Sequence, residues 1–211
     1  GAIMTPIYQT STYVQEGPGQ HQGYEYARVQ NPTRSALEEN IASLEEAKYG
    51  FAFSSGMSAI DAVLRTLHPG DEVIATNDLY GGTYRLFTQV LEQVGLKFKF
   101  VDTSSIAAIE EAVGPDTRML WVETPTNPVL KVTDLREAAR IAKRNNLLFC
   151  VDNTFSSPYL QQPLVEGADV VIHSATKFLG GHSDVVLGTL ACNDDELAEQ
   201  IHFIQKSVGA T

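Results

Sequence analysis

The segment FAFSSGMSAIDAVLRTLHPGDEVIATNDLYGGTYRLFTQVLEQVGLKFKFV, residues 51–101, alternates short β-rich runs with longer runs of helical spacing. Glycine or proline separates most of these runs, so each run has a defined end. The predicted strands are Phe51–Ser54, Glu72–Ala75 and Lys97–Val101, and the predicted helices between them are Met57–Leu67 and Tyr84–Val94. Strands that alternate with helices in this way predict βαβ units and parallel strand pairing.

The same alternation continues through the rest of the chain. Further strands are predicted at Met119–Val122, Leu147–Val151, Val170–Ile172 and Leu187–Ala191, and further helices at Ser105–Val113, Asp134–Arg144 and Asp194–Val208. Because parallel sheets bury both faces, we expect helices on both sides of the sheet. The sequence therefore predicts an α/β domain over residues 34–211 with a mostly parallel sheet.

Residues 1–33 have a different character, since they are rich in Tyr, Gln, Gly and Thr and lack a helical period. The sequence GPGQHQG, residues 17–23, is typical of a loop. We therefore expect an extended N-terminal arm, after which Thr33 caps the first helix of the domain.

Composition excludes several classes of protein. The 211 residues contain 15 Lys and Arg against 26 Asp and Glu, which gives a net charge of −11. Such an acidic surface repels nucleic-acid phosphates and anionic membranes, so neither is an expected partner. No apolar run approaches the ~18 residues that span a bilayer, and the opening residues GAIMTP carry no signal-peptide pattern. Cys150 and Cys192 lie in apolar runs and are expected in the core, which favours a cytoplasmic protein.

Ligands of open α/β sheets bind beyond the carboxyl ends of the strands, so the residues that follow each strand are candidates. Ser54–Ser58 leads directly into a helix, where small residues and free N–H groups suit an anion, although an ordinary capped turn is equally consistent. Tyr80 precedes two glycines, and its ring either stacks on a ligand or packs as a lid over the core. The turn ETPTNP, residues 123–128, contains two prolines that hold its polar side chains in place.

Two charged residues follow later strands. Asp152 ends an apolar run, and because a buried acid needs a partner, a cationic ligand is favoured over helix capping. Lys177 lies in HSATKFLGGH, residues 173–182, after another apolar run, where burial would favour the neutral, nucleophilic amine. The two histidines of that segment have no Cys or carboxylate at ligand spacing, so no metal site is predicted.

The predicted sheet edge thus combines an anion cradle, an aromatic ring, a buried acid, hydroxyl groups and a lysine. Pyridoxal 5'-phosphate requires this set: an amine for its aldehyde, an acid for its ring nitrogen, donors for its phosphate and a stacking partner for its ring. The sequence therefore favours this cofactor.

Several motifs resemble those of the Cys/Met-metabolism pyridoxal-phosphate enzymes, the trans-sulfuration family, and they span essentially the whole chain. They are SATK (174–177) with GGH (180–182), VDNT (151–154), ETPTNP (123–128), YGGT (80–83), and YAR (26–28) with NPTR (31–34). The resemblance implies the large-domain fold of fold-type I pyridoxal-phosphate enzymes, the cofactor itself and a homotetramer.

The resemblance also implies roles for individual residues. Lys177 is expected to bind the cofactor covalently and then to transfer protons, while Tyr80 stacks on the ring and assists. Asp152 is expected to pair with the ring nitrogen. The other implied cofactor contacts are Asn127 at the ring hydroxyl, Thr154 beside the ring, Gly56, Met57, Ser174 and Thr176 at the phosphate, and Tyr26 and Arg28 at the phosphate of a neighbouring subunit.

The implied reaction is elimination or replacement at the γ or β carbon of a small sulfur amino acid. Cystathionine γ-lyase activity is favoured, with cystathionine γ-synthase or O-acetylhomoserine sulfhydrylase as alternatives. Family members carry a C-terminal domain whose arginine binds the substrate carboxylate, and these 211 residues do not include it. A non-catalytic fragment that lacks a complete substrate site is therefore the second hypothesis.

Overall fold

The computed structural model describes residues 1–211. Seven strands and seven α-helices follow one another in near-regular alternation. The strands are β1 (Tyr49–Phe53), β2 (Glu72–Thr76), β3 (Lys97–Val101), β4 (Thr117–Glu123), β5 (Leu148–Asp152), β6 (Val170–Ser174) and β7 (Gly188–Cys192). The helices are α1 (Pro32–Leu44), α2 (Gly56–Leu64), α3 (Gly81–Leu86), α4 (Ile106–Ala112), α5 (Leu135–Arg144), α6 (Ser157–Leu160) and α7 (Asp195–Val208).

The strands form one sheet in the order β1-β7-β6-β5-β4-β2-β3. Strands β6, β5, β4, β2 and β3 are parallel, whereas β7 is antiparallel to both β6 and β1. Because β1 and β6 both run opposite to β7, they point in the same direction as the rest of the sheet. The predicted mostly parallel sheet is confirmed, and all strands except β7 have their carboxyl ends at one edge.

Helices cover both faces of the sheet, as predicted. On one face, α2, α7 and the turns after α3 pack against the strands around Phe87 and the fully buried Trp121. On the other face, α4 and α5 pack around Ile109 and Phe149, and α1 covers β6 and β7 through Ile41. Both cysteines are buried and free, in agreement with their expected place in the core.

The seven predicted strands are all present, with ends shifted by no more than two residues. The helix predicted at Tyr84–Val94 begins earlier, at Gly81, and continues after Leu86 as a π turn and a 3-10 turn. The four residues Ser157–Leu160 form the one-turn helix α6, in which Pro158 occupies the first turn. Proline is favoured there because that position needs no N–H donor.

The predicted cap of the first helix is wrong by two residues. Asn31, not Thr33, is the N-cap of α1, and its side chain accepts the backbone N–H of Thr33 over 2.8 Å. The Thr33 hydroxyl instead binds the N-terminal arm, because it accepts from the backbone N–H of Tyr8 over 2.9 Å and donates to the carbonyl of Pro6 over 3.0 Å. The sequence NPT offers two cap residues, and the proline at the first helical position suits the earlier one.

The arm that precedes α1 contains no helix and only two isolated β-bridges, Thr12 with Tyr26 and Gln15 with His21. Four of its apolar side chains are largely exposed, namely Ile3, Met4, Ile7 and Val14. Its extended character agrees with the sequence. No helix of the protein combines the length and the apolar character needed to cross a membrane.

Candidate active site

A cavity of about 280 Å³ lies at the edge where the parallel strands end. Loops that follow β1, β2, β4, β5 and β6 form its wall, as expected for an open α/β sheet. Nine of the eleven residues expected at the cofactor line it: Gly56, Met57, Tyr80, Asn127, Asp152, Thr154, Ser174, Thr176 and Lys177. Most residues of this wall are therefore ones that the family resemblance implies as cofactor contacts.

Lys177 follows β6 at the mouth of the cavity, and its side chain is exposed. The expectation that Lys177 is buried is wrong. The strand ends at Ser174, and only two residues, Ala175 and Thr176, separate it from the exposed lysine. The backbone N–H of Lys177 donates to the carbonyl of Ser174 over 3.1 Å, so a tight turn rather than the strand positions it.

Asp152 is the last residue of β5 and is only 7% exposed. Its Oδ1 accepts two hydrogen bonds from Thr154, from the hydroxyl over 2.5 Å and from the backbone N–H over 3.1 Å. Its Oδ2 has no hydrogen-bond partner within the chain. Burial raises the pKa of this carboxyl, and the two bonds from Thr154 oppose the rise. A buried acid with a free oxygen is suited to a cationic or N–H ligand.

The start of α2 is a capped helix N-terminus that borders the cavity. Ser55 caps this helix, and its side chain accepts the backbone N–H of Ser58 over 3.1 Å. Gly56 approaches β6 so closely that a Cβ atom there would lie 2.9 Å from Cβ of Ser174. The first N–H groups of a helix have no partners within it, so they are free to bind an anion beside the Ser174 hydroxyl.

The ring of Tyr80 stands against Gly82. A Cβ atom at Gly82 would lie 2.3 Å from Cε1 of Tyr80, so only glycine allows this position of the ring. Tyr80 is 48% exposed and lines the cavity. Of the two alternatives that the sequence left open, the ring beside a ligand space is therefore favoured over a lid on the core.

Glu123 is a site residue to which the sequence analysis assigned no role. It is the last residue of β4, only 5% exposed, and it lines the cavity. Its Oε2 accepts the backbone N–H of Tyr80 over 2.8 Å, and its Oε1 accepts that of Asn127 over 2.9 Å. Burial and the nearby charge of Asp152 raise the pKa of Glu123 to about 8, while the two N–H donors oppose the rise. Its signal in the sequence was an acid at the end of an apolar run, the feature that singled out Asp152.

Tyr26 and Arg28 are the two expected site residues that do not line this cavity. The Arg28 guanidinium lies 5.4 Å from the ring centroid of Tyr26 and donates to the carbonyl of Lys206. Arg28 borders a separate surface concavity near α1, where Val186 is shared with the wall of the main cavity.

The two histidines of the lysine segment lie apart. His173 is buried on the face of the sheet covered by α1, where its Nε2 is hydrogen-bonded to Glu45. His182 is exposed, and its ring bonds the carbonyl of Gly180 over 3.0 Å. No group of three or more His, Cys, Asp or Glu side chains in the chain could hold a metal ion.

A wider open groove of about 870 Å³ lies between α5 and the start of α7, at the amino end of β5. None of the expected site residues lines it. The expected site residues therefore line the smaller cavity, at the opposite end of the strands, and not this groove.

Comparison with known proteins agrees with this geometry. The family model described as "Cys/Met metabolism PLP-dependent enzyme" matches residues 1–211. A cystathionine gamma-lyase of Bacillus subtilis (strain 168) is 56% identical over 209 residues, which are 99% of this chain and 55% of that protein. A cystathionine beta-lyase of Lactococcus lactis subsp. cremoris is 54% identical over 210 residues, 100% of this chain and 55% of that protein.

A solved structure also has this fold. The crystal structure of cystathionine gamma-lyase from Lactobacillus plantarum complexed with L-serine superimposes with a TM-score of 0.97 at 48% identity, and the match covers 100% of this chain and 55% of that one. The present chain thus spans little more than half the length of these relatives. Since the family model matches from the first residue to the last, the chain belongs to the Cys/Met-metabolism family of pyridoxal-phosphate-dependent enzymes.

Proposed function

We propose that the complete protein is a trans-sulfuration enzyme that eliminates or replaces a leaving group at the γ or β carbon of a small sulfur amino acid. Cystathionine γ-lyase activity is the first candidate. The observation that carries the proposal is the single cavity of about 280 Å³ lined by both Lys177 and Asp152. A similar lyase, 56% identical, supports it.

The residues of the cavity fit pyridoxal 5'-phosphate. Asp152 offers a buried carboxyl with one oxygen free for the ring nitrogen. At the other end, the close approach of Gly56 to Ser174 leaves backbone N–H groups and a hydroxyl for a phosphate. When bound, the cofactor supplies an electron sink that stabilises negative charge at the substrate α-carbon.

Lys177 is proposed to bind the cofactor aldehyde and, once released, to move protons. Its amine at the cavity mouth takes the proton from the substrate α-carbon and returns a proton further along the side chain, so that the leaving group departs. Tyr80 is proposed to stack on the ring and to assist this transfer through its hydroxyl. Asp152 holds the proton of the ring nitrogen by its negative charge.

The remaining wall residues are proposed to orient the cofactor. The amide of Asn127 binds the ring hydroxyl, and Thr154 lies beside the ring while it holds Asp152. The phosphate is held by the backbone at the start of α2 and by two hydroxyls: Gly56, Met57, Ser174 and Thr176. The Thr176 hydroxyl is itself fixed, because it accepts the backbone N–H of Leu187 over 3.0 Å.

Tyr26 and Arg28 are proposed to reach the phosphate of a neighbouring subunit in a homotetramer. They lie outside the cavity of their own chain, on an arm whose Ile3 and Val14 are almost fully exposed. A second chain that covers these apolar residues stabilises the arm. We also propose a cytoplasmic location, which the two buried, unpaired cysteines support.

A cystathionine β-lyase at 54% identity makes β-elimination the second candidate. The two reactions differ in their products, since γ-elimination of cystathionine gives cysteine, 2-oxobutanoate and ammonia, and β-elimination gives homocysteine, pyruvate and ammonia. The experiment supplies the complete polypeptide that contains this sequence with pyridoxal phosphate and with cystathionine, methionine, or O-acetylhomoserine plus cysteine. Products are identified by mass spectrometry.

We expect 2-oxobutanoate and cysteine from cystathionine, and none of either product from Lys177→Ala. The matched control is Lys143→Ala, which removes an exposed lysine of α5 and keeps full activity. Absence of product with every substrate, or equal rates for Lys177→Ala and the parent, contradicts the proposal.

A further inference from the structure

Glu123 connects two loops that carry proposed cofactor contacts. It ends β4 next to Asp152, its register partner at the end of β5. One of its carboxyl oxygens accepts the backbone N–H of Tyr80 over 2.8 Å, and the other accepts that of Asn127 over 2.9 Å. A single side chain therefore holds the loop after β2 and the loop after β4 at once.

These two N–H groups have no other acceptor in the chain. One further contact joins the same loops, the 2.6 Å hydrogen bond from the Thr126 hydroxyl to Asp78. It lies outside the cavity wall, to which neither Thr126 nor Asp78 contributes. Glu123 is consequently the group that fixes the backbone at the two positions where the loops face the cavity.

We propose that Glu123 is a positioning residue, which sets the places of the Tyr80 ring and the Asn127 amide on the cavity wall by accepting one backbone N–H from each. The proposal rests on the proposed function, because that function gives Tyr80 and Asn127 their contacts with the cofactor. Glu123 itself needs no contact with the substrate for this role.

The chemistry of the position favours a glutamate. Two N–H donors that point at one side chain require two acceptor oxygens, which a carboxyl group provides. A glutamine side chain at this position would present an NH₂ group to one of the donors and leave that donor unpaired. Aspartate keeps both oxygens but is one methylene shorter, so it reaches the two loops less well. Burial and the neighbouring Asp152 disfavour the charge of Glu123, and only its two N–H partners compensate.

The first test measures the two hydrogen bonds directly and needs no cofactor. Amide hydrogen exchange of the cofactor-free complete polypeptide is followed by mass spectrometry on peptides that span residues 78–84 and 124–131. We expect Glu123→Ala and Glu123→Gln to exchange faster in these peptides, by about tenfold at the affected amides. The matched control, Glu38→Gln, changes a glutamate outside the cavity that accepts the backbone N–H of Ala52 over 2.9 Å. Because Ala52 and the other partner, Gln205, both donate to the same oxygen of Glu38, which glutamine retains, this variant leaves exchange in the two loops unchanged.

The second test measures whether the positions of the Tyr80 ring and the Asn127 amide affect binding of the cofactor. We expect Glu123→Gln to lower the affinity for pyridoxal phosphate about tenfold and to weaken the visible circular dichroism of the bound cofactor. Glu123→Asp should recover part of the affinity and part of the dichroism, and Glu38→Gln should keep both at the level of the parent. If Glu123→Gln changes the thermal midpoint but neither the dichroism nor the affinity, Glu123 has only a structural role and the proposal is overturned. Unchanged hydrogen exchange in both loops overturns it as well.

The two proposals fail in different ways. If the parent protein takes up no pyridoxal phosphate, the proposed function is wrong, while the exchange data still report on the two hydrogen bonds. If the parent takes it up at Lys177 and Glu123→Gln has the same affinity and dichroism, only the positioning role is wrong. Glu123→Gln nearly preserves side-chain volume, so it remains informative where Glu123→Ala does not fold.

Discussion

The Thr154 hydroxyl joins Asp152 to the neighbouring strand. It donates to Oδ1 of Asp152 over 2.5 Å and accepts the backbone N–H of Ser174 over 2.9 Å. One hydroxyl therefore orients the buried acid and ties the end of β5 to the end of β6. Because Oδ1 is occupied in this way, Oδ2 is the oxygen that remains for a ligand.

Replacement of Thr154 by valine tests this link. Valine has a similar shape without the hydroxyl, so the N–H of Ser174 loses its acceptor and Asp152 loses one of its two donors. We expect a loss of about 1–3 kcal/mol in the free energy of unfolding and weaker binding of pyridoxal phosphate, measured by urea denaturation and absorbance titration. Thr154→Ser keeps both bonds and should behave like the parent. Equal stability and affinity of the valine variant contradict the link.

Gly82 offers a test of the Tyr80 ring position with a matched neighbour. A methyl group at Gly82 would lie 2.3 Å from the ring, whereas one at Gly81 meets nothing within 4 Å. Since the ring is half exposed, it can move aside without unfolding the domain. We expect Gly82→Ala to reduce cofactor dichroism and affinity with little change in thermal midpoint. Gly81→Ala should leave all three unchanged, and equal behaviour of the two variants contradicts the assignment.

The buried pair of Glu45 and His173 predicts a large effect on stability. Both side chains are at most 1% exposed, and the pair lies on the sheet face that α1 covers. Glu45→Ala leaves the imidazole buried without its partner, so we expect a loss of about 3–5 kcal/mol in the free energy of unfolding. The exposed Glu39 of α1 provides the control, because Glu39→Ala should cost less than about 0.5 kcal/mol. The double variant Glu45→Met with His173→Leu should recover stability; no recovery would argue against the unpaired group as the cause.

The raised pKa of Glu123 gives a pH dependence with a defined sign. Burial and the charges of Asp152 and Asp78 bring the pKa of Glu123 from 4.5 to about 8 in the folded state. Between these values the folded protein holds a proton that the unfolded chain has released, so stability falls as pH rises from about 4.5 to 8 and levels off above that range.

Glu123→Gln removes this titration, so its free energy of unfolding should change less with pH than that of the parent. Urea denaturation of the cofactor-free protein at pH 5, 6, 7 and 8 measures the difference. The free energy of unfolding of Glu123→Gln should therefore increase relative to that of the parent as the pH rises. A difference that is constant over this range, or that grows towards low pH, contradicts the raised pKa.

Much of the fold followed from the sequence because its signals are local. Each β-rich run ends at glycine, proline or a polar residue, so seven strands were predicted with small errors at their ends. The strand direction then placed Asp152, Tyr80 and Ser174 at one edge. The cap of α1 was missed because Asn31 and Thr33 are both good cap residues.

The errors at the site came from tertiary geometry. The exposure of Lys177 depends on the turn Ser174–Lys177 at the end of β6. The apolar run that precedes this turn gives no sign of it. The role of Glu123 depends on two N–H groups from separate loops. One of them, that of Tyr80, lies 43 positions from Glu123 in the sequence. No local pattern contains such a contact. Tyr26 and Arg28 are proposed to contact a neighbouring subunit, so the contacts that define their roles are not made within one chain.

The most direct measurement is borohydride reduction of the complete polypeptide after incubation with pyridoxal phosphate, followed by peptide mass spectrometry. Reduction fixes a cofactor bound to a lysine amine, so the modified residue can be read from the fragment masses. We predict a single pyridoxyl group on Lys177 and none in the Lys177→Ala variant. Modification of another lysine such as Lys131, which is paired with Asp102 at 2.8 Å, or no modification at all, would contradict the account.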